Sequence, residues 1–381
     1  MEDYVRKKLS SWRLLLALLA VFALVAAACG DDDDDTATDD DTTETTAAPD
    51  EGDDDDEGTT ETTEGGEEPA GDIRVGMVYD IGGRGDQSFN DAAALGLDQA
   101  AEELGVETED LEPTAGGENR EELLRLLAEE GFDLVIGVGF AFEEAVLSAS
   151  ADFPDTTFAI VDAAPEGDNI EGLVFAEEQG SFLVGAAAAL TSQTGNIGFV
   201  GGVEIPLIQK FQAGYEAGAR AVNPDIEIQV SYITQPPDFA GFTDPARGKE
   251  VAASMFQGGA DVVYHAAGGS GNGVFEAASE AGAPGEVWAI GVDSDQYLTV
   301  GEPLNQYILT SMLKRVDVAV FETIKAFTEG DTEGGVRVFD LSVDGVGFAT
   351  SGDFLPADVV TQLEDLKAQI VAGEIEVPTA P

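Results

Sequence analysis

The chain has 381 residues, with 76 Asp and Glu against 17 Lys and Arg, a formal net charge of -59, one His and one Cys. So acidic a chain excludes a nucleic-acid partner, which needs a basic footprint. One Cys excludes an intrachain disulfide, and one His beside one Cys leaves no ligand set for zinc.

Residues 1–28 read as a lipoprotein signal peptide. Arg6, Lys7, Lys8 and Arg13 precede an apolar run from Leu14 to Ala28 that is short for a membrane span. Ala26-Ala27-Ala28 then lead to Cys29 in a lipobox-like arrangement, with Ala26 where leucine is usual. The expected outcome is cleavage before Cys29 and lipid attachment to its sulfur. An uncleaved N-terminal anchor helix is the alternative. On either reading the remainder is exported and held at the extracytoplasmic face of the cell membrane. Residues 29–72 carry that Cys and an acidic tether, with runs at Asp31–Asp35 and Asp53–Asp56. Such a stretch buries too little apolar surface to offset ordering entropy and is predicted to be disordered. Runs of Asp attract cations weakly, but none has EF-hand spacing, so no metal site is expected.

From Val75 to Tyr79 an apolar run reads as a buried parallel strand, ended by Asp80. Gly82, Gly83 and Gly85 mark a loop, and Ala93, Leu97, Ala100 and Leu104 share one helix face. Phe89 and Asn90 therefore fall at a strand-to-helix junction, the end of a parallel sheet at which ligands bind. Strand and helix patterns then alternate. Strands are expected at 133–138, 157–161 and 173–175, and helices at 123–127, 143–151 and 182–190. The rhythm restarts at Asn196, with strands at 196–200, 226–233, 261–266 and 287–290. Helices over 208–222, 245–256 and 274–281 separate them; Asp244-Pro245 supplies an N-cap and an N1 proline. Extended runs at 307–310 and 336–341 flank a helix over 314–327, so the chain is expected to cross between lobes more than once. A last helix over 356–371 reads as packing on the outside. The fold class is α/β, with two doubly wound parallel-sheet lobes.

Asp80, Asp162 and Asp293 each end a strand run, and Gly268-Gly269-Ser270-Gly271 follows another. Singly, each Asp reads as a helix cap or a solvated loop. Together they stand at one topological place, where carboxylates accept hydrogen bonds from hydroxyl or N–H groups. The glycine run lacks the full dinucleotide spacing and reads as backbone that admits a ligand to the next helix N-terminus. His265 has no triad or metal partners and reads as a strand-end residue placed to touch ligand, with a general base as the alternative. Phe89, Phe140, Phe142, Phe239 and Phe242 are candidates for stacking a planar ligand, although Phe140 and Phe142 serve equally as core. Lys314 is a rare cation that either bonds a ligand or pairs with one of many acids.

DIGGRGDQSFND, FPDTTFAIVD, IGFVGGVEIPLIQKFQAGYEAGA, YHAAGGSGNGVFEAA, AIGVDSDQ and TSMLKRVD, in this order, resemble the basic membrane lipoprotein (BMP) family of ABC-transporter substrate-binding proteins over about residues 73–377. The resemblance implies a type I periplasmic-binding-protein fold with a three-segment hinge. Lobe 1 would hold about residues 73–176 and 310–335, and lobe 2 about 177–309 and 336–377. It also implies capture of a nucleoside, a purine in the first instance, by a monomer that serves a permease and an ATPase without a cofactor. Phe89 would stack on the base, with Asn90 bonding near it and Asp162 bonding the purine edge. Asp80, Asp293 and Lys314 would hold the ribose. Phe242 would be the second stacking wall, and Ser88 and Gly269 complete the ligand-binding set. The family often has Lys where Gln87 stands, which matters little if that side chain faces solvent. Readings outside this one are the same fold binding a sugar or other small polar metabolite, a receptor that signals without transport, and a nucleoside-processing hydrolase.

Overall fold

The computed structural model describes residues 73–331 and 334–381. The expected signal peptide, Cys29 and the expected tether lie outside the described residues. The chain runs through β1 (Arg74–Val78), α1 (Phe89–Leu104), β2 (Glu107–Leu111), α2 (Arg120–Glu129), β3 (Leu134–Gly137), α3 (Glu143–Asp152), β4 (Thr157–Val161) and β5 (Ile170–Phe175). After α4 (Glu177–Thr191) the order repeats: β6 (Asn196–Val203), α5 (Pro206–Val222), β7 (Glu227–Thr234), α6 (Pro245–Gln257), β8 (Val262–Ala266), α7 (Asn272–Ala281), β9 (Trp288–Asp293), a one-turn α8 (Gln296–Thr299) and β10 (Ile308–Lys314). It ends with α9 (Val316–Thr328), β11 (Gly335–Phe339), β12 (Val346–Phe348) and α10 (Ala357–Val371).

These strands form two six-stranded sheets, ordered β11-β5-β4-β3-β1-β2 and β12-β10-β9-β8-β6-β7. The first is parallel throughout. In the second only β12 is antiparallel, against β10. The inner strands are apolar on both faces because helices cover both. Along β3, Leu134 and Ile136 join one buried cluster and Val135 the other. That is the two-residue alternation of a strand feeding two helical layers. The helices α4 and α5 approach closely: a Cβ on Gly214 or Gly218 would collide with the carbonyl oxygens of Glu178 and Phe182.

Within the described residues the chain passes between the sheets three times: after β5, between β10 and β11, and between β11 and β12. The last two passages differ from the expected lobe boundaries. Residues 310–314 belong to the second sheet, and 336–339 to the first. The apolar run that marked 307–310 breaks at Thr310 and Ser311, but both side chains are buried and the strand continues to Lys314. Lys314 accordingly ends β10 and does not open the following helix. Two strands escaped the sequence reading. β2 (ETEDL) has no apolar alternation and exists because β1 offers it a partner; its acids blunt a sheet edge. β12 has three residues, too few to carry a period.

Candidate functional site

The two sheets repeat one strand order, so β4 and β9 occupy equivalent places, as do β3 and β8. Asp162 follows β4 and Asp293 ends β9. Both have left-handed backbone, φ 67° and 63°, a region that Asp enters more readily than most non-glycine residues. The turn at each strand end aims a carboxylate into the space between the lobes. There a cavity of about 270 Å3 is lined by Asp80, Phe89, Asn90, Phe140 and Asp162 from one side and by Phe211, Phe242, Gly269, Asn272, Asp293 and Lys314 from the other.

Lys314 is the central cation. Its Nζ lies 2.6 Å from Asp162 Oδ2 and 4.9, 5.0 and 5.8 Å from the ring centroids of Phe89, Phe175 and Phe211. Burial disfavours its charge, but Asp162, Glu177 and Asp293 outweigh that and hold its pKa above the ordinary lysine value. Asp162 Oδ1 is buried without a hydrogen-bond partner, as is Asn272 Oδ1. A buried acceptor left unpaired is costly, and both belong to residues that line this cavity. Asp293 is buried; burial pushes its pKa up to about 6, against the pull of Lys314 and of a hydrogen bond from Ser88. Asp80 is also raised by burial, opposed by Arg120, whose Nη2 donates to its Oδ1 at 2.9 Å. Asn90 accepts the backbone N–H of Asp80 through Oδ1, leaving its NH2 group to meet a guest.

Eight of the nine residues expected to bind ligand line this one cavity; Ser88 stands behind it. Ser88 is fully buried, and its Oγ donates to Asp293 Oδ2 at 2.5 Å. Gln87 is also more than a solvent-facing side chain. Its Nε2 donates to the Thr299 carbonyl at 3.2 Å, and its own carbonyl accepts from Gln296 Nε2 at 3.0 Å. With Ser294 Oγ donating to the Ser88 carbonyl, these bonds tie the loop after β1 to the far lobe. Phe140 and Phe239 meet across the same gap, with centroids 6.0 Å apart. Phe142 is core, fully buried under β3. His265 is absent from the cavity wall: burial lowers its pKa to about 3, and it stands edge-on to Phe275. Among the described residues no group of three or more His, Cys, Asp or Glu is placed to hold a metal ion.

Arg120, Phe211, Asn272 and Glu177 were not picked out by sequence reasoning. Phe211 lies within a regular amphipathic helix, and Asn272 and Arg120 open helices, where polar residues are ordinary. Glu177 is a first-turn acid, a common helix-dipole partner on the surface, yet here it is buried.

A family model described as ABC transporter substrate-binding protein PnrA-like matches residues 73–380. The chain is 36% identical to the CD4+ T-cell-stimulating antigen of Listeria innocua, covering 83% of this chain and 91% of that protein. It is 31% identical to the ABC transporter nucleoside-binding protein BmpA of Lactococcus lactis, covering 81% and 90% respectively. Among solved structures, an ABC transporter solute-binding protein from Aeropyrum pernix K1 superposes with a TM-score of 0.70 at 34% identity, covering 81% of this chain and 93% of that one.

Proposed function

Because the chain belongs to the Bmp family of PnrA-like ABC-transporter substrate-binding proteins, we propose that it captures a nucleoside, a purine in the first instance, in the cavity between its lobes. The protein binds and does not catalyse. Phe89 and Phe242, which line the cavity from opposite lobes, stack on the two faces of the base. Asn90 and Asp162 bond the base edge. Asp80, Asp293 and Lys314 hold the ribose hydroxyls, and the backbone at Gly269 closes one side. Ser88 acts through Asp293, fixing its carboxylate from behind.

The observation that carries this reading is the buried Oδ1 of Asp162, which has no protein partner and sits in a wall flanked by aromatic rings. It calls for a planar guest with an N–H or O–H donor. Capture proceeds by hinge closure, and the bonds from the 86–88 loop to the far lobe are those a closed form requires. The closed form then docks on a permease and ATPase pair. Lipid on Cys29 keeps the monomer at the extracytoplasmic membrane face, with residues 30–72 as tether.

Calorimetry of the full chain with adenosine, guanosine, inosine and uridine tests the proposal. The expected result is a dissociation constant below about 1 μM for at least one, roughly -8 to -10 kcal/mol. No heat from any of the four would remove the nucleoside reading.

A further inference from the structure

Glu177 does not line the cavity, yet its side chain is 1% exposed and lies directly behind the wall. It is the first residue of α4, where the chain makes its first passage between lobes. Its Oε2 is 3.1 Å from Lys210 Nζ on α5, and its Oε1 is 3.9 Å from Lys314 Nζ at the end of β10. Lys314 in turn holds Asp162 from the opposite lobe. Two carboxylates and two ammonium groups thus form a chain, Lys210–Glu177–Lys314–Asp162, running from the protein surface to the cavity. Only Lys210, about a third exposed, reaches solvent.

We propose that Glu177 is a positioning residue for the ligand site, a buried carboxylate that shares Lys314 with Asp162 and so leaves Asp162 an oxygen for the guest. The proposal rests on the nucleoside reading above. Lys314 is 2% exposed and depends on neighbouring anions for its charge. With Glu177 ionised, two carboxylates divide that ammonium. With Glu177 neutral, Lys314 is left to Asp162, its hydrogen-bond partner, with Asp293 the remaining anion acting on it, and the acceptor offered to the base edge weakens. No ligand contact is lost directly, so the effect is on the strength and pH dependence of binding.

The titratable groups facing Glu177 are Lys314 from β10, Asp162 from the end of β4, Lys210 from α5 and the Tyr264 phenol from β8. Burial pushes Glu177 up to about 7; Lys314 and Lys210 pull it down and Asp162 pushes it further up. Ionised Glu177 is the binding-competent form, so affinity falls as pH drops through 7. Asp293 adds a separate fall near 6.

The test is nucleoside affinity of the full chain from about pH 8.5 to about pH 5.5, for wild type, Glu177→Gln and Lys210→Met. Glu177→Gln should bind about ten- to a hundredfold more weakly at the high end, the scale of one charge-assisted bond. It should also lack the inflection near 7 while keeping the one near 6. Lys210→Met, on a partly exposed side chain, removes a cation that lowers the Glu177 pKa and should move that inflection upward; it decides the matter if Glu177→Gln does not fold. Wild-type binding with an unchanged profile in Glu177→Gln, or an unmoved inflection in Lys210→Met, overturns the proposal and leaves the nucleoside reading standing. Wild type that binds none of the four nucleosides removes both.

Discussion

Replacing Phe89 with Ala removes one wall of the cavity and leaves its carboxylates in place. Three contributions set the size of the effect. A base stacked on an aromatic ring gains about 1–3 kcal/mol by alanine substitution. The ring also faces Lys314 Nζ at 4.9 Å, a cation–π contact of roughly 0.5–2 kcal/mol. That contact goes with the ring, but Phe175, Phe211 and Asp162 still surround the ammonium and keep it in place, so its loss adds little to the change in affinity. The third is fold stability: Phe89 is only half-buried, so truncation should cost less than the ~3–5 kcal/mol of a core Phe. The net expectation is a folded protein whose dissociation constant rises about 5- to 150-fold. Calorimetry gives the affinity, and a urea melt of the unliganded protein shows that the fold is kept. Affinity within about twofold of wild type, in a protein of native stability, would refute the stacking role and with it the orientation of the guest.

Asp293→Asn should abolish or strongly weaken binding while making the unliganded protein more stable near pH 7. Its folded pKa is raised by burial from 3.8 to about 6, so the folded state holds a proton that the unfolded state has released. Stability conferred by that proton is present at low pH and is lost as pH rises through this window; urea melts of both proteins at several pH values read it, and parallel curves would count against it. Ser88→Ala deletes the hydrogen bond that lowers the Asp293 pKa, so the affinity inflection near 6 should move upward; an unmoved inflection in a binding-competent variant contradicts the role given to Ser88. Gly218→Ala drives a methyl into the Phe182 carbonyl at the α4–α5 contact and should cost about 1–3 kcal/mol or more by urea melt, with little change in nucleoside affinity.

Much of the fold was legible in one dimension. Buried strands such as Thr157–Val161 are short apolar runs, and helices such as Pro206–Val222 announce themselves by period and by proline or asparagine at their ends. What was illegible depends on partners. ETEDL becomes a strand because β1 presents unpaired backbone groups beside it. The apolar run before Lys314 breaks at Thr310 and Ser311, so the sequence alone places that lysine at the start of the next helix. Pairing with β9 as far as Leu313 and with β12 as far as Lys314 extends β10 to that residue.

The candidate site divides in the same way. Asp80, Asp162 and Asp293 could be named from sequence, since each follows an apolar run and the ends of parallel strands share one side of a sheet. The consequences of their meeting could not. Ser88 directly precedes Phe89 at the start of α1 and yet serves Asp293, 205 residues away. Glu177 and Lys210 carry no local sign of burial, and their pairing depends on how α4 lies against α5. Backbone preference and apolar period act over a few residues, so a chain declares its strands, helices and turns by itself. Electrostatic pairing, desolvation and cavity shape depend on distance in space, so the environment of Lys314 and the free oxygen of Asp162 exist only once two lobes close on each other.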